Sequence, residues 1–283
     1  MFSLKFENEN ASIIDVNDGK NYLVVSVSGI NPPSASIFTA KSPNRKGFKY
    51  NGSTLNERNI VVAIKILGDV EKNRNALYAW LDPESQVKVH YGNKTKNVVC
   101  SGFVQDCEID YFTDNEVVSV AIVCPDPYWR ELQEISVSIS AVLAQFVFPF
   151  SISNPGIPLS TWRENTTTNV YNEGAETGCK FRVKCNGVVK HLTIYDGNNA
   201  SRKFSINATL EENWVVEIDT LASPKTCKAY LPDGSERNLL RYVEGQPTWF
   251  TLKKGSNLFY FEADEGKENV DINVAFTNGF LGV

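Results

Sequence analysis

With 283 residues, 42% of them hydrophobic and 22% charged, the chain is long enough for two cores and too apolar for extended disorder. Its 28 basic against 33 acidic residues leave a net charge of −5, which argues against non-specific nucleic-acid binding, since that needs a basic surface. The first ten residues hold no apolar stretch of signal-peptide length, and no apolar run reaches the ~18 residues of a membrane span, so synthesis in a cytoplasm and no membrane insertion are expected.

Phe2, Leu4 and Phe6 alternate with Ser3 and Lys5, which predicts a short strand. Asp18-Gly19 marks a turn, and Tyr22 to Val27 a strand closed by Gly29 and Pro32-Pro33. Ile37 to Arg45 reads as extended or looped with few core residues, the kind of segment that carries contacts rather than packing. Next comes Arg45-Lys46-Gly47-Phe48-Lys49-Tyr50-Asn51-Gly52. Asn51-Gly52 predicts a hairpin turn here, because both residues tolerate positive φ. Ile60 to Ile66 is rich in β-branched residues and reads as a strand buried on much of both faces. Asp69 can cap a helix in which Val70, Leu77 and Leu81 share a face, with Ala76 and Trp80 beside it. Pro83 cannot continue that helix.

Beyond it, Val87, Val89 and Tyr91 alternate with Lys88 and His90, and Gly92-Asn93 turns the chain. Val98 to Tyr111 is a long alternating run with a bulge predicted at Gly102. Asp114-Asn115 turns it into Val117 to Cys124, where Val118, Val120 and Ile122 share a face. The first part is therefore one helix among many antiparallel strands. Ile135, Val137 and Ile139 alternate with serines, Ala141 to Phe150 is apolar, and Asn154-Pro155-Gly156-Ile157-Pro158 punctuates the chain. These features predict an amino-terminal domain over 1–134, crossing strands over 135–158 and a second domain over 159–283. Thr161 to Asn172 reads as a polar loop. From Cys179 onward short strands recur, separated by Asn186-Gly187, Asp196-Gly197 and Asp233-Gly234, as in a β-sandwich.

Chemistry-bearing motifs are sparse. His90 and His191 both fall in alternating runs and read as strand residues. No Gly-x-Ser-x-Gly, His-Glu-x-x-His or phosphate loop occurs. The run Asp264 to Asp271 lacks the alternating ligands of a calcium loop and reads as a solvated hairpin tip. Trp214, next to Val215 and Val216, reads as core rather than a sugar platform. Cys100, Cys107, Cys124, Cys179, Cys185 and Cys227 form no Cys-x-x-Cys pair and are expected as buried, reduced thiols. The expectation is a non-enzyme without metal or cofactor.

The order Arg45, Gly47, aromatic-rich turn, Arg58, aliphatic strand, Gly68-Asp69, helix and Leu81-Asp82-Pro83 resembles the amino-terminal domain of the siphophage distal tail protein family. Cys124-Pro125-Asp126-Pro127-Tyr128-Trp129 is similar to the Pro-x-Pro-aromatic run that closes that domain. Tyr171-Asn172-Glu173-Gly174, Glu217-Ile218-Asp219-Thr220 and Thr251 to Asn257 resemble its second, galectin-like domain. The resemblance implies a mainly β, two-domain protein: a β-barrel-like or sandwich domain with one helix that forms a ring of six, plus a galectin-like β-sandwich outside the ring. It implies a structural role in joining the tail tube to the tail tip or baseplate. The implied partners are further copies of itself, the tail tube protein, the tape measure protein, the tail-associated hub or lysin, and receptor-binding proteins. Arg45, Gly47, Tyr50 and Arg58 are the expected contact residues, because arginine is favoured at interfaces for its fork of donors. A galectin-like fold does not bring lectin activity with it, since the histidine-and-arginine part of the galectin sugar motif is absent. The alternative is a carbohydrate-binding protein that attaches to a cell wall through a galectin-like module, and an enzyme is a third reading.

Overall fold

The computed structural model describes residues 2–41, 46–109, 116–140, 142–144, 160–162, 167–221 and 223–283. Its early elements are β1 (Ser3–Glu7), β2 (Ile13–Asp15), β3 (Tyr22–Ser28), β4 (Ala35–Ala40), β5 (Lys49–Leu55), β6 (Arg58–Ile66), α1 (Val70–Trp80), β7 (Gln86–Gly92), β8 (Asn97–Ile109), β9 (Val117–Cys124) and β10 (Trp129–Glu131). There follow β11 (Ile135–Ser140), β12 (Val142–Ala144), β13 (Ser160–Trp162), β14 (Thr168–Asn172), β15 (Thr177–Gly178), β16 (Lys180–Cys185), β17 (Val189–Asp196) and β18 (Asn199–Leu210). The chain ends with β19 (Val215–Asp219), β20 (Thr226–Tyr230), β21 (Glu236–Asn238), β22 (Thr251–Leu252), β23 (Gly255–Glu265), β24 (Val270–Phe276) and β25 (Gly279–Phe280). Two compact units result: Met1–Leu132 with Gly279–Val283, and Gln133–Asn278.

In the first unit the main sheet runs β2-β1-β7-β8-β9-β6-β3, with β10 pairing both β8 and β25. Alternation decides which side is buried. Ile60, Val62, Ile64 and Ile66 of β6 and Val118, Val120 and Ile122 of β9 face one core with Leu4, Phe6 and Val89. Val61, Ala63 and Lys65 on the other face of β6 are only half-buried, so this strand has one core face rather than two. The Asp69 carboxylate accepts from the Lys72 amide at 3.2 Å and starts α1. Leu77 is buried in that helix, and Leu81 just beyond it. Tyr22 anchors α1 from β3 by donating its hydroxyl to the Asn73 carbonyl at 2.8 Å.

Gly102 sits in unbroken pairing with Val87; the bulge in β8 falls between Val104 and Asp106 instead. The glycine is needed for a different reason: a Cβ there would lie 2.6 Å from the Val123 carbonyl oxygen and 2.7 Å from Cys124 Sγ. The predicted turn at Asn51-Gly52 is also corrected. Phe38 pairs with Gly52 and Thr39 with Tyr50, so Asn51 is the extra residue of a bulge inside β5. The Asp114-Asn115 turn lies outside the described residues.

The second unit holds one sheet ordered β11-β24-β16-β19-β20-β21 and another ordered β14-β23-β17-β18. Cys179, Phe181, Val183 and Cys185 point into the core as their shared parity requires. Phe181, Phe250 and Phe259 meet there with centroids 5.3–5.7 Å apart. Ile135 to Ser140 pairs with residues 271–276 of β24, so its alternating half-apolar pattern makes an edge strand of this sheet rather than a crossing between domains. β12 pairs with β13, while most of the apolar run 141–150 and the Asn154–Pro158 punctuation lie outside the described residues. The expected loop over 161–172 contains β14, with Val170 and Asn172 buried and Tyr171 exposed. Asn172 escapes a strand reading because its polar side chain is buried, donating to the carbonyls of Ala175 and Leu252.

Candidate assembly interface

β4 and β5 form a two-stranded sheet of their own. Every residue of β4 is exposed, and all of β5 except Gly52. Ile37 is 64% exposed, Phe38 52%, Phe48 68% and Tyr50 62%. Polar ties hold the base: Ser36 Oγ donates to Asn56 Oδ1 at 2.7 Å, and the Asn56 amide nitrogen to the Ser34 carbonyl at 3.0 Å. Tyr50 Oη and Ser53 Oγ share a hydrogen bond at 2.8 Å. An isolated two-stranded hairpin is marginal in water, and large apolar side chains clustered on one mark an interaction surface. β3, at the end of the main sheet, carries exposed Leu23 and Val25 beside an edge that pairs with no strand among the described residues.

Two of the four predicted contact residues fall on this hairpin. Tyr50 projects from β5, and Gly47 takes φ +83° just before it, a conformation suited to glycine. Arg45 lies outside the described residues. Arg58 is corrected: it is 1% exposed and belongs to the inside of the first unit. Its Nε donates to the Pro127 carbonyl at 2.8 Å, Nη1 to the carbonyls of Gly29 and, at 2.7 Å, Asn31, and Nη2 to that of Leu281 at 2.7 Å. The guanidinium also lies 5.4 Å from the centre of the Trp129 ring. Burial pulls its pKa down, opposed by Cys100, Cys124 and Asp126 nearby. It is a clamp between β6, two loops and the chain end. The sequence reading missed Ile37, Phe38, Phe48 and Leu55; the available signal was an apolar, β-prone run with no alternating core face.

The remaining candidates have structural places. His90 on β7 meets Glu7 at 2.7 Å. His191, at a bulge in β17 with φ +50°, lies between Asp264 at 2.9 Å and Glu244 at 3.1 Å. Residues 264–271 form the connection from β23 through a 3₁₀ turn (Lys267–Asn269) into β24. Trp214 is buried in the core, and Glu217, three residues on, pairs with Arg182 at 3.2 Å. Among the cysteines Cys107 is half-buried and the other five are buried, and burial pushes the Cys179 thiol up to about 12.

Two family models match. The phage tail protein RIFT-related domain spans residues 8–124, and the siphovirus-type tail component, C-terminal domain, spans 174–280. No curated protein matches in sequence. Among solved structures, the SPP1 Dit protein, described as a paradigm of the hub adsorption apparatus in phages infecting Gram-positive bacteria, is 14% identical. The match covers 98% of this chain and 99% of that one, with a TM-score of 0.71. A chain of the phage P2 baseplate in its activated conformation with calcium is 12% identical over 100% of both chains, with a TM-score of 0.56. The same baseplate with strontium gives 12%, again over 100% of both, and 0.52. The two family models together cover most of the chain in the order that the two units follow, and the chain belongs to the siphophage distal tail protein family as a structural component of the phage tail.

Proposed function

We propose that this chain builds a homohexameric ring from its first units, with the second units outside, and that the ring joins the tail tube to the tail tip or baseplate around the channel for DNA. It is made in the host cytoplasm and works as a scaffold without catalysis. Its neighbours in the particle are the tail tube protein, the tape measure protein, the tail-associated hub or lysin, and receptor-binding proteins. The observation that carries the reading is the β4–β5 hairpin, which exposes Ile37, Phe38, Phe48 and Tyr50 and adds nothing to its own unit's core. A heterologous interface between this hairpin and a surface of the next copy closes a ring when the rotation closes, and every hairpin is then covered. The hub and baseplate likenesses support that use of the fold.

Native mass measurement and negative-stain imaging of the purified full chain test the proposal. Six-subunit particles with a central hole are expected. Monomer alone at high concentration, with no ring on adding tail tube protein, overturns it.

A further inference from the structure

At the outer end of one sheet in the second unit, β21 pairs with β20 on one side only. Arg237 on this strand donates from Nη2 to the Tyr242 hydroxyl at 2.8 Å, and Arg241 does so from its own Nη2 at 2.7 Å. These two legs limit the separation of the Nη2 atoms to about 5.5 Å. Aromatic faces back both guanidinium groups: Arg237 lies 5.7 Å from the Trp214 ring centre and Arg241 4.7 Å from that of Tyr242. Among the described residues no carboxylate makes an ion pair with either arginine, and the rim carboxylate, Glu236, is held by Lys228 at 2.8 Å. Asn238 and Leu240 complete a shallow concavity of about 530 Å³. Two cations are thus held close together on a phenolic oxygen, with open space in front and no anion between them.

We propose that Arg237 and Arg241 form a binding site for a phosphate ester. A carboxylate presents its two oxygens in one plane, whereas a tetrahedral phosphate presents oxygens out of a single plane, towards two forks arriving from different side chains. An anion placed there also relieves the repulsion of the paired cations. The electrostatics agree. Desolvation raises the Tyr242 phenol pKa, but the hydrogen bonds from Arg241 and Arg237 outweigh it and the net shift is downward. An anion that neutralises the arginines must move it back up.

Calorimetric titration of the full chain at low salt tests the site with three probes: inorganic phosphate, soluble poly(glycerol phosphate) and polyglutamate. Binding of inorganic phosphate assigns the site to small phosphates as well as polymers, and binding of the polymer alone assigns it to a phosphodiester chain. Either outcome supports the proposal if Arg237→Gln and Arg241→Gln each weaken binding about tenfold or more without lowering the melting temperature. The phenol titration lost in Tyr242→Phe should shift upward in wild type on adding the bound probe. Equal binding by wild type and the double Gln variant overturns the proposal. So does polyglutamate binding as tightly as the phosphate probes, which would make this a site for acidic peptide.

Discussion

Arg58 Nη2 donates to the Leu281 carbonyl at 2.7 Å, so β6 is fastened to the end of the chain 223 positions later. β25 completes the attachment by pairing Phe280 with Trp129, and the Val283 amide donates to the Ile30 carbonyl at 3.3 Å. The first unit is therefore completed by residues that are synthesised after the whole second unit.

Arg58→Met should sharply destabilise this unit. It removes the donor shared by the carbonyls of Gly29, Asn31, Pro127 and Leu281, and each of them that stays cut off from water costs ~1–3 kcal/mol. Arg58→Lys should recover only part, because one ammonium cannot reproduce the planar fork. Deleting residues 279–283 should also lower the first unfolding transition. Urea denaturation followed by tryptophan fluorescence measures all three; a wild-type midpoint for Arg58→Met would refute the clamp.

The same arginine shows what was legible in the sequence. Its spacing from Arg45 and its place before an aliphatic strand were plain, but nothing local says that a charged residue at a strand start is enclosed by carbonyls from positions 29, 31, 127 and 281. That information is non-local. Periodicity, by contrast, is local, and it gave the buried faces of β9 and β16 directly. Asn51-Gly52 failed for an intermediate reason. Positive φ suits a bulge as well as a turn, and the pairing partner, Phe38, decides which is formed. β14 was missed because its inward Asn172 is polar and is satisfied only by Ala175 and Leu252. Of the candidate interface, the sequence pointed to the region but put the turn inside β5, and the hairpin's apolar exposure became visible only once the core was seen to exclude it.

Core and cap should separate in α1. Leu77 is fully buried, and Leu→Ala at such a site costs ~2–5 kcal/mol. Asp69 supplies one cap hydrogen bond, and its loss costs ~0.5–2 kcal/mol. Chemical denaturation should therefore rank Leu77→Ala well below Asp69→Ala. Equal midpoints would mean that α1 is not packed through Leu77.

His191 should make the second unit more stable on the acid side of neutrality. The hydrogen bond that the imidazole donates to Asp264 comes first, and with Glu244 it outweighs partial burial, so the histidine pKa is raised above its ordinary 6.5. Because the folded pKa is the higher one, the stabilisation is fully present below about 6.5 and is lost as pH rises through the folded value. Asn207 and Lys190 flank the cluster, paired with Glu244 at 2.6 Å and Glu265 at 2.7 Å. His191→Asn keeps a residue that tolerates positive φ and should flatten the melting profile between pH 5 and 8. An unchanged profile would show that the carboxylates do not engage the imidazolium.

The hairpin carries the prediction that links stability to assembly. Phe38 and Tyr50 are more than half exposed and outside the core of the first unit. Surface substitutions away from packing or special backbone features usually stay within about 0.5 kcal/mol, so the double variant Phe38→Asp, Tyr50→Asp should melt as wild type does when monomeric. A ring interface centred on the hairpin would instead have to bury two carboxylates without partners, which is costly, and would place like charges at every repeat. Light scattering should therefore show the ring population falling while the monomer melting temperature holds. Arg58→Met should give the other pattern, with the monomer itself melting early. If the double aspartate variant assembles as readily as wild type, the hairpin is not the ring contact, and the open edge of β3 with Leu23 and Val25 becomes the surface to test.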